Sequence, residues 1–392
     1  MTATTRRVRR RSARPARRVG EHSHLTLLER LLARIRGSGP LTFADYMEAA
    51  LFDSDDGYYM ARASLGFEGD YITSPDLGSA FGRALARGVA DLWSRMGRPP
   101  VWDLVEAGAG RGILMRDLLS ALERERSDAA RGVRPAIVEV SPRMRRQQSL
   151  ALEGRDLRWA SVAHSLAPIQ GVLFANEVLD AFPVHVLSRT SEGVRELYVG
   201  EENGTLVEVL RAPSQDLRWR VPESVPVGGR WEISPAAEGW VASLAGALVS
   251  GYIVFVDYGG QEADLLTRDG AGTVRGFVRH RLVADPLAQP GRQDLTASVD
   301  FTAIRRAAEG AGFRFAGSGT QRDMLLALGI REATARPPTP IEQLRTASRR
   351  SAIDALLDPN GLGAFRVVCF AKDAPTDGLR IFGATSATGS MR

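Results

Sequence analysis

Apolar side chains recur at helical spacing in three successive segments of the first hundred residues. Gly37 lies just past the first segment, and Thr42 and Asp45 have the spacing of a capping box at the start of the second. Both features are typical of helix ends. The pattern predicts an N-terminal helical cap over residues 25–100, with helices over 25–36, 42–51 and 79–96.

From residue 101 the pattern changes to short apolar runs that alternate with helical segments. Such alternation favours a parallel, doubly wound α/β sheet. Strands are predicted over 101–107, 134–140, 157–162 and 171–178, and helices over 113–124 and 143–152.

An Asn203-Gly204 turn then interrupts the alternation and predicts an antiparallel hairpin over 194–210. A further buried strand at 252–258 precedes a stretch rich in glycine and proline, and a helix near 300–309 with strands at 313–316 and 365–370 completes the fold. The predicted organisation is a disordered arm over 1–24, the cap over 25–100, an α/β domain over 101–372 with insertions at about 191–240 and 260–298, and a disordered tail over 373–392.

The charge of the chain is concentrated at its start. Among 392 residues the formal charge is +5, but residues 1–20 hold eight arginines and no acid, so the remainder carries −3. Because the chain after residue 20 is slightly acidic, it offers no broad basic surface for phosphate groups, which argues against a nucleic-acid partner. The arm resembles a transit peptide in its arginine content but lacks an apolar face, and a disordered cationic arm is the simpler interpretation. No apolar run approaches the length of a membrane span.

Cysteine and histidine usage argues against disulfides and metals. Cys369 is the single cysteine, which excludes a disulfide within the chain and fits a reducing compartment. The five histidines lack the spacing of a zinc motif. No metal site is predicted.

The most informative motif is a glycine loop that follows the strand at 101–107. Glu106 is followed by Gly108, Gly110 and Gly112, and glycine there permits positive φ and a close approach of backbone to a cofactor. A dinucleotide fingerprint requires G-x-G-x-x-G, whereas the last glycine comes one residue early and Ile113 takes its place. The spacing is similar to the S-adenosylmethionine (SAM) loop of class I methyltransferases.

Polar residues follow the neighbouring strands at the same predicted edge of the sheet. Glu139 is placed to accept hydrogen bonds from ribose hydroxyls, although a surface glutamate is the alternative. Asn176, Glu177 and Asp180 follow the next strand, where carboxylates can hold a guanidinium. For Asn176 and Asp180, backbone-bonding and turn roles are equally good interpretations.

Taken together, the chain resembles the MidA-like family of SAM-dependent methyltransferases over roughly residues 25–372. No single motif is specific, but their order along the chain is. The carrying motifs are Asp56-Gly-Tyr-Tyr59, Gly69-Asp-Tyr-Ile-Thr-Ser-Pro75, Phe81-Gly82, Glu106 to Gly112, Val138-Glu-Val-Ser-Pro142 with Gln147, Ala175 to Pro183, Asp257-Tyr-Gly259, Gly272 to Phe277 with His280, and Asp294-Leu-Thr-Ala297.

The resemblance implies a Rossmann-like, mostly parallel seven-stranded sheet with a helical cap and inserted segments. It implies SAM as the cofactor, with the methionine part at the glycine loop and the ribose at Glu139. The remaining expected site residues are Glu106, Asn176 and, in the cap loop, Gly69 and Asp70 for the cofactor, and Glu177 and Asp180 for catalysis.

The family's mitochondrial member is a protein-arginine methyltransferase and a complex I assembly factor. The resemblance therefore implies a protein substrate, such as a subunit of respiratory complex I, and it allows a homodimer. A bacterial chain would be cytoplasmic, and a eukaryotic chain would lie in the mitochondrial matrix.

Three alternatives stay open at this stage. The acceptor of the methyl group could be a small molecule or lipid, and a closed apolar pocket would favour it. A non-catalytic assembly factor would be favoured by loss of the glycines, but all three are present. A nicotinamide dehydrogenase is disfavoured by Ile113.

Overall fold

A computed structural model describes residues 25–62, 73–266, 270–279, 281–331 and 340–383. The predicted arm, the candidate residues Gly69 and Asp70, and His280 lie outside these ranges. No helix within them is both long enough and apolar enough to cross a membrane.

The helices begin and end close to where the sequence pattern places them. The first helix has a full capping box, formed by Thr26 and Glu29, and Thr42 caps the second by accepting a hydrogen bond from the Asp45 amide at 3.0 Å. The helices are α1 (Leu27–Ser38), α2 (Phe43–Phe52), α3 (Ala80–Arg95), α4 (Ile113–Glu125), α5 (Ser127–Ala130), α6 (Pro142–Ala151), α7 (Pro235–Ser243), α8 (Phe301–Gly310), α9 (Gln321–Ala327) and α10 (Pro340–Leu356).

The strands belong to one large sheet, one smaller twisted sheet and short ladders. In chain order they are β1 (Leu41–Thr42), β2 (Trp102–Ala107), β3 (Val133–Val138), β4 (Arg158–Ala160), β5 (Ile169–Asn176), β6 (His185–Thr190), β7 (Gly193–Glu202), β8 (Thr205–Arg211), β9 (Arg230–Ile233), β10 (Leu248–Asp257), β11 (Gly259–Gly260), β12 (Arg275–Val278), β13 (Arg281–Val283), β14 (Asp294–Thr296), β15 (Val299–Asp300), β16 (Arg314–Thr320) and β17 (Arg366–Lys372).

Within the described residues the large sheet has seven strands in the order β16-β17-β10-β5-β2-β3-β4. Five neighbouring strands of this sheet, β10, β5, β2, β3 and β4, run parallel to one another. Strand β17 is antiparallel to both β10 and β16. The central strands bury apolar side chains on both faces of the sheet because helices cover both: α3 and α4 pack on one, and α7 and α8 on the other. The predicted mostly parallel α/β fold is confirmed.

The first insertion supplies three of the five strands of the smaller sheet, β7, β8 and β9. The other two strands are β1 and β6, and the predicted hairpin is present as β7 and β8, which turn at Asn203 and Gly204. Helices α1 and α2 pack against this sheet, whereas α3 belongs to the core of the large sheet. The segment predicted as one helical cap is therefore divided between two cores.

Candidate active site

The predicted glycine loop joins the end of β2 to the start of α4. Gly108, Gly110 and Gly112 have φ values of 63°, 49° and 78°, a left-handed region that favours glycine. A Cβ atom on Gly108 would lie 2.7 Å from Cγ2 of Val178, so the loop leaves no room for a side chain on that side. The loop thus exposes backbone to the space in front of it.

Glu106 lies directly before this loop and is buried. Its Oε2 atom has no hydrogen-bond partner among the described residues. Burial, reinforced by the neighbouring charge of Glu139 and partly opposed by a hydrogen bond from the Met115 amide, raises the pKa of Glu106 to about 8. A buried carboxylate oxygen without a partner is costly unless a ligand supplies one.

Glu139 follows β3 and is held from both sides. One carboxylate oxygen accepts a hydrogen bond from the Ser141 amide at 2.8 Å, and the other accepts one from Nε2 of Gln148 at 3.0 Å. The Gln148 amide also donates to the Gly110 carbonyl at 3.0 Å. Gln148 therefore connects the expected ribose-binding carboxylate to the glycine loop, while burial raises the pKa of Glu139.

Asn176 and Glu177 stand at the end of β5. The Asn176 amide donates to Oε1 of Glu177 at 2.8 Å, which leaves its own Oδ1 atom buried without a partner among the described residues. Glu177 has a φ of 54°, unusual for a non-glycine residue, and its pKa is raised to about 8, chiefly by burial. Unusual backbone and a shifted pKa at one residue are typical of functional sites.

Asp257, at the end of β10, holds the loop that carries Glu177. Its Oδ2 atom accepts hydrogen bonds from the consecutive amides of Val178, Leu179 and Asp180 at 3.0, 2.8 and 3.4 Å. Asp180 itself is buried beside Asp257 and Asp294, and burial together with these charges raises its pKa well above the usual range. The loop is thus fixed by one carboxylate beneath it.

An open cleft of about 450 Å³ lies in front of the glycine loop. The segment at 73–77 covers one side of it: the Ser74 amide donates to Oε1 of Glu177 at 3.3 Å, and Asp76 pairs with Arg111. The lining residues are Thr73, Pro75, Asp76, Glu106, Gly108, Ala109, Gly110, Arg111, Ile113, Leu114, Asn176 and Glu177.

Several of the expected site residues meet at this cleft. Glu106, Gly108, Gly110, Asn176 and Glu177 line it, and Gly112 and Glu139 lie immediately behind it. Asp180 is not among the lining residues, because its side chain lies in the buried carboxylate cluster.

The sequence analysis missed three contributors to the site. The motif pointed to Gln147, but the buried side-chain amide is that of Gln148. The helical spacing of α6 could have distinguished the two residues, because Gln148 lies four residues after the buried Met144. Ser74 and Arg111 lay inside quoted motifs, yet nothing local indicated that they would contact Glu177 and Asp76.

A glycine cradle after the first parallel strand and a carboxylate after the second are typical of class I methyltransferases, and the glycine spacing differs from that of a dinucleotide site. The chain matches, over residues 84–319, a family model described as "putative S-adenosyl-L-methionine-dependent methyltransferase". The protein belongs to this family.

Similar proteins agree with that assignment. The chain is 30% identical to the human "protein arginine methyltransferase NDUFAF7, mitochondrial" over 72% of this chain and 69% of that protein. It is 31% identical to the Xenopus tropicalis protein of the same name, over 84% and 81%. A crystal structure from Burkholderia thailandensis, described as a "likely methyl transferase" bound to S-adenosyl-homocysteine, superposes with a TM-score of 0.81 at 31% identity and covers 91% of this chain and 94% of that one.

The residues present fit SAM, the cofactor of the family. The glycine loop offers backbone without side chains, and two buried oxygens, Oε2 of Glu106 and Oδ1 of Asn176, face no partner in the described residues. Both can accept hydrogen bonds from the ammonium group of SAM, whose sulfonium group adds a second positive charge but no hydrogen-bond donor. Within the described ranges no group of acidic, histidine or cysteine side chains is arranged to hold a metal ion.

Proposed function

We propose that this methyltransferase transfers the methyl group to an arginine side chain of a protein substrate. The observation that carries the proposal is Glu177, a carboxylate in the cofactor cleft with no ion-pair partner among the described residues. The names of the similar proteins support the same acceptor.

A carboxylate meets the chemical problem that arginine poses. The guanidinium is protonated at any working pH, so its nitrogens are poor nucleophiles. Hydrogen bonds to Glu177 would hold the positive charge toward one nitrogen and orient another toward the reacting carbon. Asn176 fixes the orientation of this carboxylate by donating to Oε1.

The cofactor supplies an activated methyl group, so the protein mainly supplies alignment. A guanidinium nitrogen forms a bond to the methyl carbon as the carbon–sulfur bond breaks, and the bonding pair stays on sulfur in S-adenosylhomocysteine. The methylated nitrogen then gives its extra proton to the ionised Glu177 carboxylate, which releases it to solvent. Glu177 touches the acceptor in this scheme, while Asp180 belongs to the supporting loop and remains the second candidate carboxylate.

The raised pKa of Glu177 predicts the pH dependence of acceptor use. At neutral pH its carboxyl group is largely protonated before a cation arrives, since its pKa is about 8. We expect kcat/KM for the acceptor to rise with pH toward about 8, and Glu177→Gln to lower it by roughly 100-fold or more and remove that rise. Unchanged turnover in Glu177→Gln would contradict the assignment.

Product analysis tests the proposal as a whole. Purified protein is incubated with methyl-labelled SAM and an extract from cells that lack the enzyme, and labelled protein is hydrolysed to amino acids. We expect the label in methylarginine, lost with Glu177→Gln. Label in another amino acid, or only in the small-molecule fraction, would favour a different acceptor. A folded protein that binds SAM but labels nothing would favour the assembly-factor alternative.

A further inference from the structure

The charges that line the cleft are unequal. Asp76, Glu106 and Glu177 are acidic, whereas Arg111 is the basic residue in the lining that the structure describes. The methionine part of SAM carries a carboxylate as well as an ammonium group. A carboxylate that enters a cleft lined by acidic side chains is stabilised only where a cation stands beside it.

Arg111 has the position and the spare hydrogen-bonding capacity for that role. It lies between Gly110 and Gly112, in the loop at which we expect the methionine part to bind. One terminal nitrogen pairs with Asp76, while its Nε–H is buried and has no acceptor among the described residues. A buried guanidinium donor without an acceptor is costly, and an incoming carboxylate would satisfy it.

We propose that Arg111 binds the carboxylate of the methionine part and that Asp76 positions its guanidinium for this contact. Asp76 belongs to the covering segment, in which the Ser74 amide also bonds to Glu177. Arg111 thus determines specificity for the amino-acid end of the cofactor. This inference depends on the cofactor and not on the arginine acceptor.

The competing role for Arg111 is a structural tie that holds the 73–77 segment over the cleft. A pair of ligands separates the two roles: SAM and its decarboxylated form, which keeps the sulfonium, the amine and the adenosine. Calorimetry would measure the Kd of each for wild type, Arg111→Gln and Arg111→Lys. Arg116→Gln is the matched control, because Arg116 is on α4 and pairs with its neighbour Asp117.

We expect wild type and Arg116→Gln to bind SAM at least tenfold more tightly than the decarboxylated form. Arg111→Gln should weaken SAM binding by about 10- to 100-fold, the range of a charge-assisted pair, and should bind the decarboxylated form at least as tightly as wild type does. Arg111→Lys should retain part of the preference, because it keeps the charge without the planar fork.

Equal weakening of both ligands in Arg111→Gln would overturn the proposal in favour of a structural tie. Equal binding of both ligands by wild type would also overturn it. A folded wild type that binds neither ligand would contradict the cofactor site itself. None of these outcomes depends on which acceptor is methylated, so failure of the arginine proposal is recognised separately by product analysis.

Discussion

At the scale of single residues, the site is marked by carboxylates that burial keeps from ionising. Glu106 and Glu177 each have a pKa of about 8, and no cation of the described chain forms an ion pair with either. Asp103, which is fully buried, instead pairs with Arg134 and Arg158. This difference in partners suggests that a bound ligand supplies the positively charged groups that pair with Glu106 and Glu177.

This difference predicts that cofactor binding is linked to pH. Below pH 8 Glu106 holds a proton in the free protein, and a bound cation favours the ionised form. The affinity for SAM should therefore rise with pH up to about 8, with release of a proton on binding. Calorimetry in two buffers of different ionisation enthalpy measures that release.

Glu106→Gln is the control for this linkage. The amide cannot ionise, so its SAM affinity should be lower and the pH dependence flatter. Wild-type binding that does not change between about pH 6 and pH 9, without proton release, would show that Glu106 does not meet the cationic part of the cofactor.

Two glycines with similar backbone but different surroundings give a second prediction. Gly108 (φ 63°) has Val178 where its Cβ would stand, whereas Gly97 (φ 84°) has open space. Alanine at either position should cost about 1 kcal/mol of unfolding free energy for the left-handed conformation, and Gly108→Ala should cost more because Val178 must shift. Affinity for SAM should fall tenfold or more in Gly108→Ala and stay unchanged in Gly97→Ala. Calorimetric titration measures the affinity, and thermal unfolding measures the stability of each variant. Equal SAM affinity in the two variants would show that the glycine loop does not hold the cofactor.

At the scale of elements, the loop after β5 depends on the strand beside it. Asp257 on β10 binds three consecutive amides of that loop and so positions Glu177. Asp257→Asn should lower kcat by about 10- to 100-fold, because the other oxygen of Asp257 accepts from the Tyr258 amide, so an asparagine must turn its NH2 group toward one of these donors. It should leave SAM affinity within about threefold and cost roughly 1–3 kcal/mol of stability.

Asp300→Asn is the matched control for that variant. Asp300 also accepts hydrogen bonds from two backbone amides, but at the start of α8, where asparagine is an equally good cap. We expect its kinetics to match wild type. If Asp257→Asn behaved like Asp300→Asn, Asp257 would have no positioning role.

The sequence pattern predicted elements better than it predicted their neighbours. The strands at 101–107 and 171–178 and the glycine loop could be identified because their signals are local: an apolar run, and glycines at alternate positions. The division of the helical cap between two cores could not be predicted, because the apolar face of a helix does not specify the surface on which it packs. The contact of Ser74 with Glu177 could not be predicted either, because the two residues are 103 positions apart and neither has a local signal for the other.

At the scale of the whole molecule, stability and function occupy opposite ends of the large sheet. Asp103 near the start of β2 receives Arg134 of β3 and Arg158 of β4, and it accepts from the Gln170 amide of β5 at 2.9 Å. The candidate cofactor and acceptor residues follow the other ends of these strands, as ligand sites in open α/β sheets do.

This separation predicts a variant that is unstable but functional. Asp103→Ala should lower the unfolding free energy by about 2–4 kcal/mol, because it removes a buried carboxylate that accepts from two arginines and from the Gln170 amide. SAM affinity at low temperature should stay near that of wild type. Denaturant unfolding checks the first expectation, with Glu123→Ala, which breaks an exposed pair with Arg155, as a control that should cost under about 0.5 kcal/mol.

The most direct test of the account is a crystal structure of this protein with S-adenosylhomocysteine. We expect the methionine part over Gly108 to Gly112, the ribose hydroxyls at Glu139, and the sulfur facing Asn176 and Glu177. A ligand bound elsewhere, or one whose sulfur faces away from Glu177, would contradict both the cofactor site and the proposed route to the acceptor.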